Sequence, residues 1–488
     1  MKTKHVCLIV PPSPFLTDER VFLHLGILKV AAALEKEKYN IDFLDLAGVD
    51  NYSEVIKHFI SQNPEVCIFG ITATTPQIPY AMEIADSIRE SQPEAKIILG
   101  GTHVSLMNSA RKKGVGRAIR DIKSLHETFD VLVAGDGELA ILEALQFNHK
   151  LVDADNRKSD LFLTNEMLTS LPLPARHLVD IDSYKYTIDG ENATSLICQL
   201  GCPFGCTFCG GRNSNFLRSI RTRSSESVVS EIEHLYKKYN FSAFMFYDDE
   251  LNVNKEWESF LNKIIKLQQD LGADFKLRGF VKAELFTEEQ AALMYTAGFR
   301  WLLTGFESGD ERILGNIRKG ATIEENTRCI KFAKEAGLKV KALMSIGHAG
   351  ETEESIQNTK DWLLEVKPEE FDCTIITVYP GSPYFDEAVS DGEKYTYVSP
   401  VSGDKLYQKD LDYRREPDYY KGDPEGGYIS YVWTDTLEPA DLVNKRDLLE
   451  KEVRTTLGIP FNRYGEGVHF EHSMGQGNIS STILKRNY

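Results

Sequence analysis

The chain has 488 residues, which exceeds the size at which one hydrophobic core usually stops growing, so two or three domains are expected. It carries 56 Lys and Arg against 73 Asp and Glu, a formal net charge of -17, which argues against nucleic acid as a partner and favours a small-molecule substrate. No apolar stretch reaches the roughly 20 residues of a membrane span, and the N-terminal apolar run is too short for an export signal, so a cytoplasmic protein with no membrane partner is expected.

Residues 1–145 alternate short β-branched runs with longer amphipathic segments. The runs HVCLIV, IDFLDL, EVCIFGI, KIILGG and DVLVAG are typical of buried parallel strands, and the segments between them of helices. This pattern predicts a doubly wound, Rossmann-like α/β domain, in which ligands bind at the carboxyl edge of the sheet. The Gly-rich strand ends would place these residues at that edge: Thr72, Thr74, Thr75, Gly100, Gly101, His103, Gly135 and Glu138.

The remaining chain divides into three predicted parts. Residues 146–190 show little apolar periodicity and contain Leu171-Pro172-Leu173-Pro174, so they are predicted to be a linker. A strand-helix rhythm restarts over residues 191–385, with helix capping patterns at Thr287 and Thr322. Six β/α units fit there, which predicts a partial TIM-like barrel. Residues 386–488 are Tyr-rich, contain a predicted helix around Pro439 to Leu457, and are interpreted as a C-terminal cap that contacts substrate.

Four of the eight cysteines crowd between residues 198 and 209, which indicates metal chemistry in a reducing compartment. Cys202, Cys206 and Cys209 have the spacing CxxxCxxC, and thiolates are the ligands that iron-sulfur clusters select. Three ligands would leave one iron of a 4Fe-4S cluster open to a small chelating cofactor. The alternative is a zinc knuckle with Cys198 as fourth ligand. Because Cys198 lies inside a predicted strand, a buried core thiol is preferred for it.

The cysteine spacing, with an aromatic residue at Phe208, resembles the radical S-adenosylmethionine (SAM) superfamily. The resemblance implies that the open iron binds SAM, and that an electron from an external donor such as flavodoxin or ferredoxin cleaves SAM to a 5'-deoxyadenosyl radical. Asp248-Asp249-Glu250 and Gly305-Phe306-Glu307-Ser308, followed by Lys319-Gly320, resemble further motifs of the superfamily. The SAM contacts that the resemblance implies are Phe208, Asp248, Asp249, Lys282, Glu307 and Ser308.

Some of these residues have other interpretations. The acidic residues at 248–250 also suit a helix N-cap. Lys282 stands where relatives often have Arg, and it lacks the planar fork that grips a carboxylate. The turn from Gly347 to Thr352 resembles GxPGET but carries His348, which could move a proton during catalysis. Alternatively, His348 is only hydrogen-bonded within its turn.

The strings GITATTPQIPYAMEIADSIRE, LGGTHVSL and VLVAGDGE resemble the cobalamin-binding domain that precedes the barrel in a large branch of radical enzymes. The resemblance implies cobalamin as a further cofactor, with glycines that let the corrinoid approach the backbone. The chain contains no Asp-x-His-x-x-Gly motif, so no histidine ligand to cobalt is expected. Alternatively, the domain no longer binds cobalamin, and His103 serves only its own turn.

The leading hypothesis is cobalamin-dependent radical methyl transfer to an unactivated carbon, less often phosphorus, of a small metabolite. The second is a cobalamin-free radical elimination, dehydration or rearrangement, with His348 or a C-terminal tyrosine as proton shuttle. Ring closure on a tetrapyrrole and modification of a peptide also stay open, because the fold does not choose between them. A zinc- or corrinoid-binding regulator without catalysis is the hypothesis from another class.

Overall fold

The computed structural model of the protein describes residues 4–16, 19–146, 149–420 and 427–460. Its first sheet contains six parallel strands in the order β2-β1-β3-β4-β5-β6. The strands are β1 His5–Val10, β2 Asn40–Asp45, β3 Ile68–Thr72, β4 Lys96–Gly100, β5 Val131–Gly135 and β6 Leu151–Ala154. The helices are α1 Leu25–Lys36, α2 Tyr52–Gln62, α3 Ile78–Ser91, α4 Thr102–Lys112, α5 Gly116–Thr128 and α6 Gly137–Gln146.

The doubly wound α/β fold predicted for this region is confirmed, and each of the five predicted strands is present. The strand order reverses between β1 and β3, which is where open parallel sheets bind ligands. The sheet has a sixth strand, β6, inside the segment 146–190 that the sequence predicts to be a linker. Only Leu151 and Val152 form its apolar run, so a four-residue edge strand gives too short a pattern to be seen.

The second sheet has the order β15-β14-β13-β12-β11-β8-β7. Its strands, together with the short pair β9 and β10, are β7 Thr187–Ile188, β8 Glu191–Leu196, β9 Gln199–Leu200, β10 Arg221–Thr222, β11 Ala243–Phe246, β12 Lys276–Phe280, β13 Phe299–Glu307, β14 Lys339–Ile346 and β15 Glu370–Ile375. The helices are α7 Asn165–Ser170, α8 Asn215–Arg218, α9 Ser225–Tyr239, α10 Trp257–Leu271, α11 Glu288–Thr296, α12 Glu311–Asn316, α13 Ile323–Glu335 and α14 Glu353–Val366.

Strands β8 and β11 to β15 are parallel and curl into the partial barrel of six β/α units that the sequence predicts. The predicted caps are present: the Thr287 hydroxyl accepts from Gln290 N–H, and the Thr322 hydroxyl from Glu325 N–H, each at 3.2 Å. These caps fix where α11 and α13 begin. Because the strands are parallel, their carboxyl ends, which carry the candidate site residues, meet at one edge of the barrel.

The C-terminal region forms an antiparallel sheet and a helix on the open side of the barrel. The elements are α15 Pro383–Asp386, β16 Val389–Ser390, β17 Tyr395–Val398, β18 Lys405–Gln408, β19 Val432–Trp433 and α16 Pro439–Leu457. Helix α16 lies where the sequence predicts it and covers the barrel's edge strand β15. There the Glu450 carboxylate accepts from Cys373 N–H at 2.7 Å, and Arg446 Nε donates to the Cys373 carbonyl at 2.9 Å. Side chains thus satisfy backbone groups that would otherwise form an open edge.

The domain of the first sheet and the barrel are in direct contact. A buried ion pair joins Arg221 to Asp136, and the Asp155 carboxylate accepts from the Ser214 hydroxyl at 3.0 Å. Core residues from both sheets belong to one continuous apolar cluster. Within the described residues, no helix combines the length and apolarity needed to cross a membrane.

Candidate active site between the two sheets

A cavity of about 590 Å³ lies between the carboxyl edge of the first sheet and the cysteine loop of the barrel. From the first sheet it is lined by Thr72, Thr74, Thr75 and Gln77, and from the barrel by Cys209, Gly210, Arg212 and Asp249. A second cavity of about 220 Å³ continues along the face of the first sheet. Both cavities share the lining residues Gly26, Ile27, Thr72, Thr102 and Ile197, so they adjoin.

The cysteine loop follows strand β8 and is held in place by backbone hydrogen bonds at both ends. Cys202 N–H donates to the Leu217 carbonyl and Thr207 N–H to the Ile317 carbonyl, each at 2.9 Å. The buried Arg212 donates through Nη1 to the Cys202 carbonyl at 3.3 Å and to that of Phe204. This bracing fixes the backbone from which the three cysteines project and places a positive charge beside their sulfurs.

The three thiols suit metal binding more than free reactivity. Burial raises the pKa of Cys209 to about 12, and it also raises that of Cys202. Thiols in such surroundings stay protonated until a metal displaces their protons. Among the described residues, no three His, Cys, Asp or Glu side chains converge closely enough for a single metal ion. A 4Fe-4S cluster would take one thiolate on each of three irons, which is the ligand set that Cys202, Cys206 and Cys209 could supply.

Cys198, the proposed fourth zinc ligand, is a buried thiol bound elsewhere. Its Sγ donates to Asp248 Oδ1 at 3.1 Å, and its backbone N–H donates to the same carboxylate oxygen at 3.0 Å. Gln199 N–H also donates to Asp248. Burial raises the pKa of Asp248 to about 7. Asp248 is thus occupied in holding the end of β8, and neither cavity is lined by it.

The other two acidic residues of this motif have different surroundings. Asp249 lines the larger cavity, accepts a hydrogen bond from Gly201 N–H and has a pKa raised by burial. Glu250 lies deeper, near Lys319 and Lys282, and burial raises its pKa to about 7. No side-chain cap bond forms at Glu250, the N-cap of the short 3-10 turn that follows. Asp249 is therefore the carboxylate placed to meet a ligand.

Two charged residues expected to contact SAM, Lys282 and Glu307, belong to a buried network that also contains Lys319. Lys282 Nζ lies 2.8 Å from Glu284 and donates to the Lys319 carbonyl at 2.7 Å. Lys319 Nζ lies 3.2 Å from Glu307 Oε1. Burial alone would lower the pKa of Lys319, but the negative charges around it, that of Glu307 first, together raise it. The Lys319 ammonium is therefore held charged beside the Glu307 carboxylate.

Glu307 has a φ of +67°, a left-handed conformation that is unusual for a residue with a side chain. Next to it, the buried Ser308 hydroxyl lies 3.2 Å from that of Thr359 and accepts from Asp310 N–H at 3.1 Å. Ser308 thus holds the turn after β13. Phe208 packs its ring against that of His348, with centroids 5.3 Å apart. Neither cavity is lined by Phe208, Lys282, Glu307 or Ser308.

His348 is completely buried, and both of its ring nitrogens have partners. Nε2 lies 2.8 Å from the Ser345 hydroxyl and Nδ1 lies 3.4 Å from that of Tyr384. Burial lowers the pKa of His348 to about 3, so the ring is neutral at physiological pH. This geometry fits the hydrogen-bonded alternative better than a proton shuttle.

The residues expected to contact cobalamin mostly line the cavities. Thr72, Gly100, Gly101, Gly135 and Glu138 line the smaller one, and Thr72, Thr74 and Thr75 the larger. His103 lines neither, because its buried side chain points into the α4–α5 contact, where Nε2 lies 3.1 Å from Asp121. His103 therefore bonds to the neighbouring helix and not, as the alternative predicts, within its own turn, and its contact with cobalamin stays a prediction.

The space around Gly101 and the hydroxyl of Thr75 indicate whether this crevice fits a large ligand. A Cβ at Gly101 would lie 2.6 Å from Ala73 N, and Gly101 has a φ of +101°. Any side chain at position 101 would clash with the backbone of Ala73, so only glycine fits at this point of the crevice wall. The Thr75 hydroxyl is buried without a hydrogen-bond partner among the described residues. A ligand with polar substituents would satisfy it.

Four further residues of the site escaped the sequence analysis. Arg212 follows Cys209 by three residues, and a positive charge so close to predicted thiolates could have identified it from the sequence. Ser345 and Tyr384 carry no motif and meet His348 only through the fold. His24, directly before α1, lines the larger cavity and likewise gives no pattern in the sequence.

Two family models match the chain: the one described as Radical SAM superfamily over residues 196–363, and the one described as B12 binding domain over residues 19–144. The chain thus combines a radical SAM domain with a B12-binding domain. The family expected from the sequence is confirmed. The classes of cofactor that these families use are those expected, namely a 4Fe-4S cluster, SAM and cobalamin.

The relatives of this radical SAM protein include methyltransferases. An uncharacterized methyltransferase of Pyrococcus horikoshii is 26% identical over 427 residues, which cover 82% of this chain and 88% of the relative. The anaerobic magnesium-protoporphyrin IX monomethyl ester cyclase of Rubrivivax gelatinosus is 26% identical over 68% of this chain and 61% of its own length. The fold matches TsrM from Kitasatospora setae, a radical SAM methyltransferase solved with cobalamin and a [4Fe-4S] cluster, with a TM-score of 0.64, 17% identity and coverage of 93% of this chain and 89% of that one.

Proposed function

We propose that this radical SAM enzyme catalyses cobalamin-dependent methyl transfer to an unactivated carbon of a small metabolite. The observation that carries the proposal is the shared wall of the two cavities. The crevice of the B12-binding domain opens directly into the space beside Cys209 and Asp249. A methyl donor in the crevice and a radical source at the cysteine loop would then face one substrate.

The cysteine loop supplies the first half of this arrangement. Cys202, Cys206 and Cys209 would hold a 4Fe-4S cluster, which supplies the electron that cleaves SAM when both are bound. Asp249 lines the cavity beside Cys209 and would accept charge-assisted hydrogen bonds from the SAM ammonium group. Arg212, buried behind the loop, would stabilise the negative charge of the thiolates.

The crevice supplies the second half. Its wall contains six glycines, namely Gly26, Gly70, Gly100, Gly101, Gly135 and Gly137, and these leave room for a corrinoid and its nucleotide tail. The hydroxyls of Thr72, Thr74 and Thr75 would meet the polar substituents of the ligand. The named methyltransferases among the relatives favour methyl transfer over other radical outcomes.

The proposal includes the setting of the reaction and the division of the chain. We assign residues 1–145 to cobalamin, 191–385 to the radical reaction and 386–488 to a cap over the substrate, with 146–190 as connection. The electron comes from an external donor such as flavodoxin or ferredoxin, in a reducing compartment such as the cytoplasm.

Metal analysis after anaerobic reconstitution tests the proposal. The protein is incubated with iron, sulfide and hydroxocobalamin, desalted, and analysed for iron and cobalt per chain. About four irons and one cobalt are expected. About four irons without cobalt would contradict methyl transfer from cobalamin and favour the cobalamin-free radical reaction. Iron without 5'-deoxyadenosine formation from SAM under reduction would contradict the radical activity.

A further inference from the structure

A directional chain of hydrogen bonds runs from the barrel interior to the Glu307 carboxylate. Glu307 Oε2 accepts from the Ser345 hydroxyl at 2.8 Å, while Oε1 faces Lys319 Nζ at 3.2 Å. Ser345 also lies 2.8 Å from His348 Nε2. A serine hydroxyl has a single proton, and the Ser345 proton is donated to Glu307 Oε2, so it is not available to His348.

The direction at Ser345 fixes the tautomer of His348. The Ser345 oxygen, having given its proton to Glu307, must accept from His348, so Nε2 carries the ring proton. Nδ1 of the neutral ring is then an acceptor for the Tyr384 hydroxyl at 3.4 Å. The Tyr384 oxygen in turn accepts from Ala349 N–H at 3.3 Å. Each partner thus has one consistent role.

This series of hydrogen bonds is connected to the cysteine loop as well as to Glu307. Tyr384 N–H donates to the carbonyl of Thr207, which lies between Cys206 and Phe208. The Phe208 ring packs edge-on against His348. The cysteine loop and the Glu307 turn are therefore tied to the same buried imidazole.

The unusual backbone conformation of Glu307 explains why its side chain needs these contacts. Its φ of +67° is a conformation that persists only where the surroundings hold it. Ser345 donates to one oxygen of the Glu307 carboxylate and Lys319 to the other. Without the His348 donor, the Ser345 hydroxyl would be free to rotate away from Glu307.

We infer that His348 is a positioning residue that orients Glu307 toward SAM through Ser345. The inference rests on the proposed function and adds to it that Glu307, which lines neither cavity, contacts SAM when the cofactor is bound. It assigns no proton transfer to His348: the ring stays neutral and in one tautomer throughout. It also gives a role to the residue at which the GxPGET-like turn is unusual.

The affinity of the reconstituted holoenzyme for SAM tests the inference, measured by equilibrium dialysis without reductant. H348L removes the donor and should weaken SAM binding roughly tenfold at unchanged iron content. H348Q, whose amide can donate to Ser345, should recover most of the affinity. S345A removes one oxygen atom and should resemble H348L, and it decides the question where H348L does not yield folded protein.

A double-mutant cycle separates positioning from general damage. In an E307Q background, H348L should cost less than about threefold in SAM affinity, because the carboxylate that His348 orients is already gone. Equal losses in both backgrounds, or unchanged affinity in both H348L and S345A, would overturn the inference. A wild-type holoenzyme that fails to bind SAM would instead overturn the proposed function.

The tautomer gives a readout that does not depend on SAM. Nitrogen NMR of histidine-labelled full-length protein, with H348Q to assign the signal, should show a neutral ring protonated at Nε2. An Nδ1–H tautomer would contradict the hydrogen-bond direction derived above, whatever the result for SAM binding.

Discussion

The wall on the side of the first sheet is made mostly of glycines and apolar side chains, whereas the barrel places buried and half-buried charges around the ends of its strands. Six glycines line the smaller cavity. On the barrel side, Glu250, Lys282, Glu307 and Lys319 lie close enough to shift or hold one another's charges. The first sheet offers shape and backbone to the cavities, and the barrel offers oriented charge at its strand ends, partly behind the cavity wall.

Because of this difference, we expect the two sides to respond differently to substitutions. A crevice built from glycines should be sensitive to added volume, because packed protein cannot move aside for extra methylene groups. A site built from buried charges should tolerate small volume changes but lose binding when one charge is removed. Variants on the crevice side should therefore change the binding of cobalt without changing that of iron. Variants on the barrel side should change the binding of iron or SAM without changing that of cobalt.

The largest expected effect is that of Cys206→Ala. Without this thiolate the cluster has two protein ligands, so iron falls to a small fraction of the wild-type value and SAM cleavage is lost. Cobalt binding should persist, since Cys206 lines neither cavity and the B12-binding domain lies on the other side. Iron and cobalt contents and 5'-deoxyadenosine formation measure this.

Cys198→Ala is the matched control for the cluster. Its thiol donates to Asp248, and the backbone N–H groups of Cys198 and Gln199 still serve that carboxylate after the change. The cluster's visible spectrum should stay at the wild-type level. Loss of iron in this variant would contradict the assignment of three ligands.

The crevice side is tested by Gly26→Leu. A Cβ at Gly26 meets nothing within 4 Å, so the protein itself should accept the side chain, which would occupy the wall shared by both cavities. Retained cobalt should fall by at least about tenfold while iron is unchanged. Gly116→Leu, also free of contacts within 4 Å but outside both cavities, is the control. Equal cobalt in both variants would argue against cobalamin in this crevice.

On the barrel side, Asp249→Asn and Asp248→Asn should separate binding from structure. Asp249 lines the cavity, so its loss of charge should weaken SAM binding roughly tenfold with normal iron. Asp248 instead holds the end of β8, so its amide variant should lower the free energy of unfolding by about 1–3 kcal/mol. Dialysis with SAM and thermal denaturation distinguish them. Reversed results would move the ammonium contact to Asp248.

The fold was predictable because its signals are local. The buried β-branched runs, the caps at Thr287 and Thr322 and the helix from Pro439 each appear in a short window of sequence. Strand β6 was not, because its four residues gain their strand conformation from pairing with β5. Tertiary contact, not local pattern, decides such an edge.

The candidate site was predictable only as far as motifs reach. The cysteine loop and the glycine ends identify the two walls, but the division of labour between Asp248 and Asp249 depends on which way adjacent side chains turn at the end of β11. Arg212 follows the cysteine loop, Ser345 lies in β14 and Tyr384 in α15, so three elements far apart in sequence bring them to the site. For Ser345 and Tyr384, sequence spacing carries no information on these contacts.

The smallest expected effect is a pH dependence that arises at the barrel strand ends. Glu351 accepts from Gly347 N–H at 3.1 Å, and burial raises its pKa to about 7 from an ordinary value of 4.5. Between these values the folded state holds a proton that the unfolded state has lost, so stability should fall as pH rises from about 4.5 to about 7. Glu351→Gln removes this proton and should flatten the decline by at most about 1.4 kcal/mol per pH unit. Thermal midpoints across this pH range, with the exposed Glu354→Gln as control, measure the difference. An unchanged slope in Glu351→Gln would mean that this carboxyl is ionised in the folded protein, and that the charges of the barrel side are better solvated than its packing implies.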